Sequence, residues 1–102
     1  LNIRDIAASF QAAVVDTLVE KTMQAAVGTG VDKIVVAGGV AANSLLRKRM
    51  KEESDKLGVA LYLPSMGLCI DNAAMIALAG YLHHLRGESS NLDLNPRPSM
   101  PL

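Results

Sequence analysis

Val35-Val36-Ala37-Gly38-Gly39-Val40-Ala41-Ala42-Asn43 is a short β-like run that ends in two glycines and passes directly into a helix. Residues without a Cβ atom let the chain turn sharply and let a ligand approach the backbone. A helix N-terminus just beyond offers free N–H groups and a partial positive charge, an arrangement that receives a phosphate or a nucleoside. The same Gly-Gly turn also serves as an ordinary connection between strand and helix, so both readings stand on this stretch alone.

Working outward, Lys33-Ile34-Val35-Val36-Ala37 reads as a buried strand because it is short, β-branched and followed by glycines. Upstream, Ile6, Phe10, Ala13, Val14 and Leu18 recur at three- and four-residue steps, which predicts an amphipathic helix from Ile3 to about Gly28, ended by Gly28 and Gly30. Downstream, a second helix is expected from about Asn43 to Leu57, with Leu46, Met50 and Leu57 as its apolar stripe and Gly58 as its stop. Val59 to Leu63 is the next strand, closed by Pro64. After the loop Ser65-Met66-Gly67-Leu68-Cys69-Ile70, Asp71 is a favoured N-cap for a third helix. The run Asn72 to Leu82 is apolar nearly all round and predicts burial on several sides.

The expected order is helix-strand-helix-strand-helix, an α/β unit covering residues 1–90. Residues 91–102 read as an extended Pro-rich tail ending in Asn95-Pro96-Arg97-Pro98-Ser99-Met100-Pro101-Leu102. Two strands joined through a helix pair in parallel, with a right-handed crossover. Open α/β sheets bind ligands at the carboxyl ends of their strands, which places Gly38-Gly39 and the Met66 to Asp71 loop at one edge.

Bulk properties narrow the function. At 102 residues and 50% hydrophobic, with three aromatics and a mean hydropathy of +0.25, the chain is apolar for a domain standing alone, and with Leu1 first it reads as a fragment of a larger fold. Ten basic and ten acidic residues cancel, so no global field draws it to nucleic acid or an anionic membrane. The single cysteine, Cys69, excludes an internal disulfide and fits a reducing compartment. No segment reaches the roughly 18 apolar residues of a membrane span, and no signal-peptide pattern opens the chain. The expectation is a cytoplasmic protein without a membrane partner.

Among residues that could carry chemistry, Asn43 can cap the second helix, and its amide can also donate to and accept from a ribose or base edge. Asp71 can cap the third helix or offer a carboxylate to a metal, although one carboxylate is not a metal site. His83 and His84 stand about 18 Å along the helix from Asp71, cannot share its metal, and read as surface residues. Cys69 reads as a packing residue. Arg47, Lys48, Arg49 and Lys51, followed by Glu52, Glu53 and Asp55, read as a solvated helix face rather than a phosphate-binding patch.

The segment Val36-Ala37-Gly38-Gly39-Val40-Ala41-Ala42-Asn43 with Leu46-Arg47 resembles a signature of the TsaD family of tRNA threonylcarbamoyladenosine transferases, once labelled O-sialoglycoprotein endopeptidases. Cys69-Ile70-Asp71-Asn72-Ala73-Ala74-Met75-Ile76-Ala77 resembles its second C-terminal signature, and the spacing between them and the opening Ile6-Ala7-Ala8-Ser9-Phe10-Gln11 fit as well. The resemblance covers essentially the whole chain. It implies part of one lobe of an actin/Hsp70/sugar-kinase-like fold, and transfer of threonylcarbamoyl from threonylcarbamoyl-adenylate to the adenosine beside the tRNA anticodon. It further implies that Gly38 and Gly39 admit the adenylate or an ATP-type nucleotide, that Asn43 contacts it, and that Asp71 is a ligand of one divalent metal, iron or zinc. Partner subunits of a tRNA-modifying complex are implied in the same way.

The chain also departs from the pattern. It has no His-x-x-x-His pair for the remaining metal ligands, Ile70 replaces the usual hydroxyl residue before the aspartate, and Pro98-Ser99-Met100-Pro101 stands where a basic residue and a tryptophan are common. The isolated segment is therefore expected to be inactive, with no catalytic residue of its own, and its exposed apolar faces make it a candidate homodimer. Two rival readings are part of an ATP-dependent kinase of the same fold group and a non-catalytic assembly module pairing through the first helix. The endopeptidase label finds no nucleophile–base pair or complete zinc site here.

Overall fold

Asn2 opens the first helix by accepting a hydrogen bond from the Arg4 amide at 3.0 Å, and the chain then runs helically as α1, Ile3–Thr29. The computed structural model describes residues 2–99. Leu1 and the Met100-Pro101-Leu102 end of the expected tail lie outside them. Helix α1 stops at Gly30, whose φ of 69° is the left-handed conformation that favours glycine. β1 (Lys33–Val35) follows, then a 3-10 turn at Gly39–Ala42, helix α2 (Ser44–Leu57), β2 (Ala60–Tyr62), a second 3-10 turn at Met66–Leu68, and helix α3 (Ala73–Leu85).

The strands pair in parallel, as the crossover through α2 requires, with Lys33 opposite Ala60, Ile34 opposite Leu61 and Val35 opposite Tyr62. The ladder is prolonged at both ends by Ala60 N–H donating to Asp32 at 2.8 Å and Val36 N–H donating to Tyr62 at 3.0 Å. The strands are shorter than the sequence suggests, and β1 is buried only at Ile34 while Val35 is exposed. Only one face of the two-stranded sheet is covered, so alternate residues point to solvent.

Two compact units result, Leu1–Asp71 and Asn72–Leu102. In the first, Val15, Val19, Met23 and Ala26 of α1 pack with Ile34 and with Leu46 and Met50 of α2, flanked by half-buried Val36, Leu45, Val59 and Leu61. This corrects two sequence expectations. Phe10, Val14 and Leu18 face outward, because α1 is apolar on more than one side and the side meeting α2 is the one centred on Val19. The α2 stripe continues at the four-residue step to Ser54, whereas Leu57 is exposed. Arg49 of α2 reaches Asp16 of α1 at 3.3 Å, an exposed pair contributing under about 1 kcal/mol.

The second unit holds α3, and here the expectation of burial on several sides is overturned. None of its residues is buried, and Met75, Ile76, Leu78, Tyr81, Leu82 and Leu85 are exposed. A helix with apolar residues on every side needs covering surface on every side, and residues 2–99 do not supply it.

Candidate functional site

Parallel pairing sends the chain out of β1 and β2 at the same end. Two loops leave there, Val36–Asn43 and Leu63–Asp71, and they carry the four residues singled out by sequence.

In the first loop Gly38 has φ 90° and ψ 172°, a conformation that L side chains rarely adopt, and open space surrounds the positions where Gly38 and Gly39 would carry a Cβ. The glycines do not lead straight into the α-helix. A 3-10 turn intervenes, closed by Ala41 N–H to Gly38 and Asn43 N–H to Val40, each at 3.0 Å, and α2 begins only at Ser44. A shallow apolar hollow of about 360 Å³ adjoins this loop, bounded by Val35–Ala37, Val40 and Ala41 and by Leu18 and Thr22 of α1. The Thr22 hydroxyl donates to the Leu18 carbonyl at 2.7 Å, so it is already engaged within its own helix.

Asn43 is the N-cap of α2. Its Oδ1 accepts from the Leu46 amide at 2.9 Å, the capping bond, and its Nδ2 donates to Gln11 Oε1 on α1 at 3.2 Å. The side chain is thus fixed at both ends, and its orientation is set by the helix it caps together with the helix behind it. Gln11 lies 32 residues from Asn43, a separation no local sequence pattern can bridge.

Asp71 is exposed and does not cap α3, contrary to expectation. The cap is Asn72, whose Oδ1 accepts from the Met75 amide at 3.0 Å, the geometry an N-cap needs toward the third residue of its helix. Asp71 lies one residue too early for that bond. Among the described residues no group of three His, Cys, Asp or Glu could hold a metal ion. Asp71 therefore offers a single carboxylate, and the described residues alone do not make a metal centre. His83 and His84 sit exposed in the last turn of α3, with His83 Nδ1 2.5 Å from Glu88.

Cys69 is buried, as read from sequence. What the sequence did not disclose is its neighbour. Arg47 is not part of the solvated face: its half-buried guanidinium donates from Nε to the Ala41 carbonyl at 2.6 Å, and from Nη2 to the Pro64 carbonyl and to Cys69 Sγ, the last at 3.3 Å. The other members of the cluster behave as expected, Lys48 with Glu52 at 3.9 Å and Lys51 with Asp55 at 2.7 Å, both on the exposed side of α2. The available signal was position, since Arg47 flanks the buried Leu46 and lies one turn before Met50.

This is an α/β unit whose parallel strands deliver two loops, each bearing a polar residue, to a common end. The chain belongs to the TsaD family, described as tRNA N6-adenosine threonylcarbamoyltransferase, whose family model matches residues 1–78. Proteins named tRNA N6-adenosine threonylcarbamoyltransferase from Syntrophotalea carbinolica and Thermodesulfovibrio yellowstonii are each 54% identical to it, over 99% and 97% of the chain. One from Clostridium botulinum is 48% identical over 100% of the chain. The chain spans about 30% of the length of these relatives. Among the described residues no helix is long and apolar enough to cross a membrane.

Proposed function

We propose that this chain is the C-terminal part of a tRNA threonylcarbamoyltransferase, and that its two loops form one wall of the pocket for threonylcarbamoyl-adenylate. The observation that carries the reading is the parallel register, which sends the glycine loop and the Asp71 loop off the same end of the sheet. Gly38 and Gly39 leave open space for the adenylate to approach the backbone, and Asn43, held by Leu46 and Gln11, presents an oriented amide.

Asp71 is the residue best suited to contribute a carboxylate to a divalent metal, iron or zinc, completed by donors outside residues 2–99. Because Asn72 performs the capping, helix capping does not account for an aspartate here. The metal would act as a Lewis acid and template in the parent. One carboxylate and one wall cannot hold the donor in reacting geometry, so the isolated segment is inactive in this reading. The acceptor is the tRNA adenosine, the working compartment is the cytoplasm, and the other subunits of the threonylcarbamoylation complex are the macromolecular partners.

The test is threonylcarbamoyl transfer to tRNA, with metal content measured alongside, in the longer protein that carries this segment. Asp71→Ala should lose both metal and transfer, and Asn43→Ala should lower transfer by about 10²-fold. Retention of metal and transfer in both variants would remove the site.

A second reading is favoured by one observation, the exposure of Phe10, Val14 and Leu18 along α1 together with the uncovered α3. In it the segment is an assembly surface that pairs with a second copy or with the rest of a longer chain. Substitutions at Phe10 or Leu18 would then weaken association while Asn43→Ala and Asp71→Ala leave it unchanged, as sedimentation would report.

A further inference from the structure

We propose that Arg47 is a positioning residue that fastens the glycine loop to the Asp71 loop, so that Asn43 and Asp71 are held at a fixed separation. The inference rests on the reading of those loops as one ligand-binding wall. Its structural basis is the three acceptors shared by one guanidinium. Ala41, which accepts from Nε, lies two residues before Asn43, and Cys69, which accepts from Nη2, lies two residues before Asp71. The Pro64 carbonyl anchors the start of the second loop to the same nitrogen. Backbone pairing between the strands runs as far as Val36 and Tyr62, and beyond that point the guanidinium supplies hydrogen bonds that tie one loop to the other.

Arginine suits this task for a definite reason. Its planar fork presents donors in fixed directions from separate nitrogens, whereas a lysine ammonium gathers its three donors on one nitrogen at the end of a flexible stem and is not preorganised to span Ala41 on one side and Pro64 and Cys69 on the other. The basic neighbours Lys48 and Lys51 pair with carboxylates one turn along the exposed side of α2, and Arg47 instead spends its donors on two carbonyls and a thiol.

Cys69 makes the clasp measurable without reference to catalysis. It is the chain's one thiol and is 2% exposed, so its alkylation by iodoacetamide reports opening of the second loop. Rates at Cys69, followed by peptide mass spectrometry, would be compared for the longer protein that carries this segment and its Arg47→Lys and Arg47→Ala variants, with circular dichroism confirming that each is folded. The expected result is alkylation faster by about tenfold or more in both variants, with millimolar guanidinium slowing it again in Arg47→Ala. Should Arg47→Ala fail to fold, Arg47→Lys alone decides. Unchanged alkylation in a folded Arg47→Lys overturns the proposal.

A second arm, transfer kinetics of the longer protein with Arg47→Lys, separates this inference from the functional one. A raised KM for threonylcarbamoyl-adenylate accompanying faster alkylation supports both. Faster alkylation with unchanged kinetics supports the clasp and removes the donor-site reading.

Discussion

Asn43 donates its side-chain amide to Gln11 Oε1 at 3.2 Å while accepting from Leu46, so one residue joins the start of α2 to α1 and closes the glycine loop. Capping and ligand contact can therefore be pulled apart by choice of substitution. Asn43→Ala removes the cap and should cost about 1 kcal/mol of stability in urea denaturation. Asn43→Ser keeps a capping oxygen and should leave stability nearly unchanged, yet it deletes the amide. If the proposed adenylate contact is real, transfer by the longer protein falls in both variants by similar factors; equal activity of Asn43→Ser and wild type would return Asn43 to a capping role.

The two glycines of the loop differ in conformation, and their alanine variants should differ accordingly. Gly38→Ala forces a Cβ into φ 90° with ψ 172°, a region essentially reserved for glycine, and should destabilise the fold by about 1–3 kcal/mol. Gly39→Ala meets open space at an ordinary φ and should be neutral to the fold. Any loss of donor affinity in Gly39→Ala at unchanged thermal midpoint then measures how closely the ligand approaches the backbone.

Ser54 is fully buried on α2, and its hydroxyl has no hydrogen-bond partner among the described residues. A buried hydroxyl without a partner costs free energy that alanine does not. Ser54→Ala should be neutral or stabilise by up to about 1 kcal/mol, and Met50→Ala, one turn earlier on the same stripe, should cost about 2–4 kcal/mol. Leu57→Ala should cost far less than Met50→Ala, since Leu57 is exposed. Denaturant midpoints of the three variants check the assignment of the stripe.

Lys56 donates to the Glu53 carboxylate at 2.7 Å, and this hydrogen bond, with the charges of Lys56 and Arg49, holds the Glu53 carboxyl below its ordinary range. A carboxyl whose pKa is lower folded than unfolded stabilises the fold above its unfolded value and loses that contribution as pH falls through the folded one. An NMR titration of Glu53 should show the depressed midpoint in the wild type and an upward move in Lys56→Ala. An unmoved midpoint would mean that the pair does not persist in solution.

Much of this was legible in sequence, for reasons that differ by residue. Gly30 and Gly58 mark helix ends because a left-handed residue is a local requirement, visible without any tertiary knowledge. The parallel pairing follows from chain connectivity alone. What escaped was set by neighbours distant in sequence: which side of α1 meets α2, when both Leu18 and Val19 lie on apolar stripes, and the inward turn of Arg47 amid charges that otherwise face water. The choice between Asp71 and Asn72 as cap turned on one position of register, since both residue types cap well.

The pairing of Lys33 with Ala60 has a further consequence for how the loops come into being. No hairpin can bring these strands together locally; they meet only after α2 has folded back across them, a closure that must be completed before any of its contacts reward it. The glycine loop and the Asp71 loop thus share one topological origin, and whatever parts β1 from β2 takes away the common end of both instead of leaving half a site.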